Sequence, residues 1–125
     1  MIFGIGTDVV ESSRIERSLE KYGNRFAKRI LSNDEWSDYT SSSKPILFLA
    51  SRFAAKEALS KAIGTGLRYP VSLNHIGITH DTLGKPYFVF HPELNELIKS
   101  KGIVNHHLSI SDEINIVCAF VILEK

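Results

Sequence analysis

"SRFAAKEALSKAIGTG" (Ser51–Gly66) is the stretch on which the reading of the whole chain turns. Pro45, suited to a first helical turn, precedes it, and Ile46, Leu49, Ala50, Phe53, Ala54, Leu59 and Ala62 recur at helical spacing. Gly64 and Gly66 stop the run. One long helix is therefore expected, and it crowds Arg52, Lys56, Glu57 and Lys61 together. Glu57 and Lys61 stand four residues apart and project from one face. An exposed Glu–Lys pair worth a few tenths of a kcal/mol accounts for that spacing. A metal carboxylate beside a phosphate-neutralising cation accounts for it equally.

Working outward, "MIFGIGTDVVE" at the N-terminus reads as a strand ending near Asp8. Gly4 and Gly6 within it point to close packing against another element. Ser12 or Ser13 caps a following helix, with Glu16 three residues after Ser13 as in a capping box. Ile15, Leu19 and Tyr22 form its apolar stripe, and Arg14, Arg17 and Lys21 a basic stripe beside it. Arg25, Lys28 and Arg29 continue that basic band into the next short helix, interrupted only by Glu16 and Glu20. "LSNDEWSDY" carries a Ser32 or Asn33 cap for another helix, and "TSSSKP" reads as a loop.

Beyond the long helix, "NHIGITHD" and "PYFVFH" read as two strands joined through "DTLGKP". "PELNELIKSKG" is a helix with Pro92 at its start and Gly102 past its end. "HHLSISD" and "INIVCAFVIL" form a second antiparallel pair around "DEIN". This order predicts a single α+β domain over residues 1–125, a largely antiparallel sheet with helices packed on one face.

Fifteen Lys and Arg against fourteen Asp and Glu leave a net charge of +1, so no whole-molecule field argues for nucleic acid. The single cysteine, Cys118, excludes an internal disulfide and lies in an apolar run, where a buried, inert thiol is expected. That run is too short to span a bilayer as a helix, and the N-terminus lacks a basic segment leading an apolar signal region. A cytoplasmic protein is expected, with neither membrane nor nucleic-acid partner.

Asp8 and Glu57 are the carboxylates that a strand facing a helix could bring together. Two carboxylates plus water suit Mg²⁺, which takes few protein oxygens and completes its octahedron with phosphate. "GTG" (Gly64–Gly66) serves equally as a helix stop, and it is no P-loop, because no "GK[ST]" follows. In the "GKP" turn (Gly84–Pro86), Lys85 faces either an anion or water. His107 and Ser109 share one face of a strand. His75, His80, His91 and His106 share no metal-ligand spacing.

"GIGTDVVE", "RFAAKEALSKAIGTG", "GKP" and "HLSIS", in this order and at these spacings, resemble the holo-acyl-carrier-protein synthases. These are the small 4'-phosphopantetheinyl transferases of fatty-acid synthesis, and the likeness runs from near residue 2 to near residue 122. The resemblance implies transfer of 4'-phosphopantetheine from coenzyme A to a serine of apo acyl carrier protein, releasing adenosine 3',5'-bisphosphate. It implies Asp8 and Glu57 as Mg²⁺ ligands and Lys61 beside the diphosphate, the three together forming the catalytic set. Lys56, about 100° round the helix from Glu57, is a weaker phosphate contact. Gly64, Thr65 and Gly66 match the turn that approaches the cofactor, and Gly84, Lys85 and Pro86 a loop near its adenine and 3'-phosphate. Ser109 resembles a residue near the nucleotide or the subunit boundary.

Asp112 stands where some relatives carry a second histidine, so that histidine's role does not transfer. The general base stays open between Glu57 and a metal-bound water. The fold implied is the 4'-phosphopantetheinyl transferase fold with a single pseudo-half per chain. Larger relatives hold two halves with the cofactor between them, so a homotrimer with sites at the subunit interfaces is implied here. The basic band gains a partner from the same likeness: Arg14, Arg17, Lys21 and Arg25 would meet the acidic carrier protein, with Phe26 as an apolar anchor. Two rivals remain on the residues. A passive nucleotide-binding module would keep the lysines and glycine turns without needing Asp8 and Glu57 together. An RNA-binding domain would need more positive charge and an aromatic strand.

Overall fold

Side-chain alternation and close glycines decide where the first strand goes. In the computed structural model, which describes residues 1–125, the chain opens with β1 (Ile2–Glu11), followed by α1 (Ser12–Tyr22), α2 (Asn24–Ile30) and α3 (Asn33–Thr40). The long helix α4 (Pro45–Ile63) comes next, then a 3₁₀ turn (Leu73–His75) and the hairpin β2 (Ile76–His80) and β3 (Pro86–Phe90). Helix α5 (Pro92–Ser100) and the hairpin β4 (Asn105–Glu113) and β5 (Ile116–Glu124) complete it. The α+β class holds. The strands form two antiparallel sheets, however: β1-β5-β4, and a separate β2-β3 pair.

The first strand also runs three residues past Asp8, so Asp8 lies within β1, paired opposite Ala119. Gly4, Gly6, Asp8 and Val10 fall on the face that meets α4. A Cβ at Gly6 would collide with the carbonyl oxygen of Ala58, and one at Gly4 with that of Ala62. This contact brings strand and helix backbones closer than any larger residue permits. We expect Gly6→Ala to lower stability by about 1–3 kcal/mol, because the clash is with helix backbone that has no room to move. A urea midpoint unchanged from wild type at equal protein concentration would contradict it.

Helix α4 is buried almost all round, with Leu49, Ala50, Ala54, Ala55, Ala58 and Leu59 wholly inaccessible. Its N-terminus begins on Pro45, and Gly64 closes it in the left-handed conformation at φ 94°. On the sheet, Val117, Ala119, Val121 and Leu123 of β5 point to the same core. The opposite sheet face is bare: Ile5 (57% exposed), Val9 (61%), Ile116 (47%) and Phe120 (39%) lie along it. Cys118, on this face between Val9 and Ser111, is half-buried, not enclosed as expected.

The expected Ser13–Glu16 capping box is absent, and Glu11 occupies the cap position without a side-chain bond. Asn115, in the β4–β5 turn, takes that role: its Oδ1 accepts from Ser13 N–H at 3.0 Å, and its carbonyl from Ser12 N–H at 3.0 Å. At α3, where the sequence offered Ser32 or Asn33 as the cap, Ser32 takes the position and Glu35 Oε1 reaches back to its N–H at 2.9 Å.

Candidate active site

The close approach of β1 to α4 sets three functional groups side by side. Asp8 projects from β1 toward α4, and Glu57 and Lys61 stand one helical turn apart on α4. Lys61 Nζ lies 3.3 Å from Asp8 Oδ1 and donates to the Thr7 carbonyl at 3.0 Å. Its side chain is 54% exposed, so the ammonium is open to solution on one side. Glu57 is half-buried; burial pushes its carboxyl above the usual range, the Asp8 charge adds to this, and Lys61 opposes it. Two acids, remote in sequence, thus feel each other's charge. The contact of β1 with α4 places Asp8 against Lys61, one turn along the helix from Glu57.

The Gly64–Gly66 turn follows directly, with Gly64 and Gly66 at positive φ and both amides donating to the Ser60 carbonyl. Thr65 spends its hydroxyl on the Gly66 carbonyl at 2.9 Å. On the other flank of α4, Gly84 and Pro86 line a groove of about 410 Å³. Lys44, Arg52, His80 and Asp112 line it too, none of which sequence reasoning assigned to the nucleotide. Lys85 stands exposed in the turn between the two groove residues, with its amide held by Asp81 Oδ1 at 2.9 Å. Ser109 points to the bare sheet face, and its neighbour Ile110 lines the groove instead. Asp8 and the groove occupy opposite edges of the β1-β5-β4 sheet, so one chain does not bring them into a single cleft.

One expected site residue is corrected. Lys56 is fully buried (0% exposed) and cannot touch a phosphate. Its Nζ is bound by Glu35 Oε1 at 2.6 Å, the Ile30 carbonyl at 2.6 Å and the Leu73 carbonyl at 3.0 Å. All three donors of the ammonium are spent on protein. The signal available in the sequence was Glu35, the acid of the capping box that α3 turns toward α4.

The basic band lies on the surface. Arg14, Arg17, Lys21 and Arg25 are exposed and Phe26 is half-buried. Arg14, Arg17 and Lys21 rim a groove of about 360 Å³ whose floor includes Ile15, Phe26 and Phe53. A further hollow between α3 and the β2-β3 sheet carries Asp34 and Asp38, whose charge would repel a diphosphate.

A family model, described as the 4'-phosphopantetheinyl transferase superfamily, matches residues 4–113. The chain belongs to that superfamily. Within it, the chain is 70% identical over its full length, and that of its relative, to the holo-[acyl-carrier-protein] synthase of Nitrosospira multiformis. The crystal structure of holo-[acyl-carrier-protein] synthase from Neisseria meningitidis superposes with a TM-score of 0.98 at 50% identity, covering all of both chains. That of the Bacillus anthracis holo-(acyl-carrier-protein) synthase, in complex with CoA (3',5'-ADP), does so at 0.81 and 39%, covering 98% of this chain and 96% of that one.

Proposed function

We propose that this chain moves 4'-phosphopantetheine from coenzyme A to a serine of apo acyl carrier protein and releases adenosine 3',5'-bisphosphate. The observation that carries the reading is the meeting of Asp8, Glu57 and Lys61 across the β1–α4 contact. The donor set suits Mg²⁺, because Asp8 and Glu57 would supply two carboxylate oxygens and no more. That leaves coordination positions for water and diphosphate oxygens. Bound there, the ion would offset negative charge on the diphosphate during transfer.

The chain's own groups do the rest by position and charge. Asp8 and Glu57 hold the site in place from two rigid elements. Lys61 neutralises the phosphate that departs with the nucleotide as the serine oxygen bonds to the β-phosphorus. The serine proton has two acceptors open to it, Glu57 and a water that the ion would hold. The glycine turn at Gly64–Gly66 lets backbone approach the cofactor. Lys44, Arg52 and His80 with the Gly84–Pro86 turn take the nucleotide end. Incubating apo carrier protein with coenzyme A and Mg²⁺ and weighing the product tests this. A gain matching phosphopantetheine supports it, whereas coenzyme A binding with no gain identifies a passive binding module.

The separation of the two half-sites, one at each edge of the sheet, favours a homotrimer in which Asp8 and Glu57 of one subunit face the nucleotide groove of the next. The bare apolar face bearing Ile5, Val9 and Phe120 is the surface such an assembly would bury. Sedimentation that found a fully active monomer would overturn it.

The rimmed groove on α1 and α2 is the carrier surface in this reading, with Arg14, Arg17, Lys21 and Arg25 as charge partners and Phe26 and Phe53 as apolar contacts. Arg14→Glu with Lys21→Glu should raise KM for the carrier about tenfold or more, since like charges oppose docking. The KM for coenzyme A should hardly move, and equal increases in both would count against the assignment. The setting is cytoplasmic fatty-acid synthesis, and no helix is long and apolar enough to cross a membrane.

A further inference from the structure

Beneath the nucleotide groove lies a buried charge cluster of which the proposed reaction uses only Arg52. Glu35 of α3 is 3% exposed, Lys56 0% and Arg52 8%. Three hydrogen bonds and one ion pair hold the Glu35 carboxylate. Oε1 takes Ser32 N–H at 2.9 Å and Lys56 Nζ at 2.6 Å. Oε2 takes Ile78 N–H at 3.0 Å and faces Arg52 Nε at 3.5 Å. Four elements therefore fix this one carboxylate: the α2–α3 junction, α4, the 3₁₀ turn through Lys56, and β2.

Arg52 is the member of the cluster that reaches the groove. Its guanidinium carbon sits 3.9 Å above the centre of the Phe48 ring, and Nη1 donates to Ser51 Oγ at 3.4 Å; both neighbours also line the groove. Its Nε is buried with no hydrogen-bond partner, so the Glu35 charge at 3.5 Å is what that end of the guanidinium meets. Burial pulls the Arg52 pKa down, and Glu35 and Asp38 push it back up. A cation aimed at a phosphate needs its fork held in one orientation, because an Arg recognises an anion by geometry as well as charge.

We propose that Glu35 is a positioning residue for the nucleotide groove: locked by Lys56, it anchors Arg52 from behind and aims the guanidinium at a phosphate of the nucleoside bisphosphate end of the cofactor. The proposal rests on the reading that the groove takes that end of coenzyme A. Lys56, next to Glu57 in sequence, thereby serves the groove and not the diphosphate.

The test is a cycle of Glu35→Gln, Arg52→Ala and the double variant in the full chain. Binding of adenosine 3',5'-bisphosphate is followed by calorimetry, and KM for coenzyme A and for carrier protein by steady-state kinetics. Glu35→Gln is expected to weaken bisphosphate binding about tenfold and to raise KM for coenzyme A with KM for the carrier unchanged. In the Arg52→Ala background the same replacement should add nothing, since a residue acting through Arg52 has nothing left to act on. Equal losses in both backgrounds, or none in either, overturn the proposal. Arg52→Lys covers the case of a Glu35 variant that does not fold: it keeps the charge, loses the anchored Nε and leaves the buried pair intact. A loss of about tenfold there supports the proposal, and wild-type binding overturns it. If Arg52→Ala itself leaves bisphosphate affinity untouched, the groove reading fails, and the proposal falls with it.

Discussion

Glu57→Gln is expected to lower kcat/KM by about a hundred- to a thousandfold, the loss seen when a charge-stabilising group is removed from a transition state. The amide keeps the shape of the side chain and removes its charge, so one of the two metal carboxylates is lost. Two accompanying results separate this from misfolding. Mg²⁺ should raise the melting temperature of the wild type and leave that of the variant unmoved. The pH dependence should also change in a defined direction. Because the folded protein pushes the Glu57 pKa up, chiefly by burial and then by Asp8, Mg²⁺ binding and activity should fall on acidification at a pH above the ordinary glutamate range. The metal-free fold binds that proton more tightly than the unfolded chain does. Its stability should therefore decline as pH rises from the ordinary value through the elevated one, and Glu57→Gln should flatten the slope. A variant with near wild-type turnover and an intact Mg²⁺ response would remove the basis of the proposed chemistry.

Lys56→Met should be the most damaging single change to the fold. It leaves the Glu35 carboxylate buried without its ammonium and strips the Ile30 and Leu73 carbonyls of a donor. Breaking one half of such a pair costs about 3–5 kcal/mol. A domain of this kind has a total of about 5–15 kcal/mol to lose from. The drop should appear in urea unfolding at fixed protein concentration. Exchanging both partners for apolar residues should cost much less, since no charge is then left uncompensated. If the single variant proved as stable as wild type, Lys56 would not be the tie between α2, α3 and α4 that its three bonds describe.

Local spacing put Glu57 and Lys61 on one helix face and Asp8 on a strand, but only the family resemblance gave the three a shared role. The i, i+4 spacing on a helix and the glycines flanking a strand residue are short-range signals. Lys56 was misplaced for a long-range reason. Around α4 nearly every direction is buried, so the helix has no single apolar stripe to tell inside from outside. Its angular offset from Glu57 was right, but only α3 and the 3₁₀ turn, folded over that side, make the direction an interior one. Arg52, Lys44 and His80 were missed because they meet through tertiary contact between α4, the loop before it and β2. The Ser13–Glu16 box failed for a similar reason: Asn115, distant in sequence, satisfied the same amides first.

The pairing of β1 with β5 alone has a consequence for biogenesis. In a nascent chain the strand bearing Asp8 emerges well before its hydrogen-bond partner, since helices α1 to α5 and strands β2 to β4 lie between them. Contacts of such high sequence separation form slowly. The acid of β1 therefore waits, without a register, until β5 has emerged. Pulse-labelling by deuterium during refolding should show β1 amides gaining protection together with those of β5, and protection of β1 ahead of β5 would contradict that order.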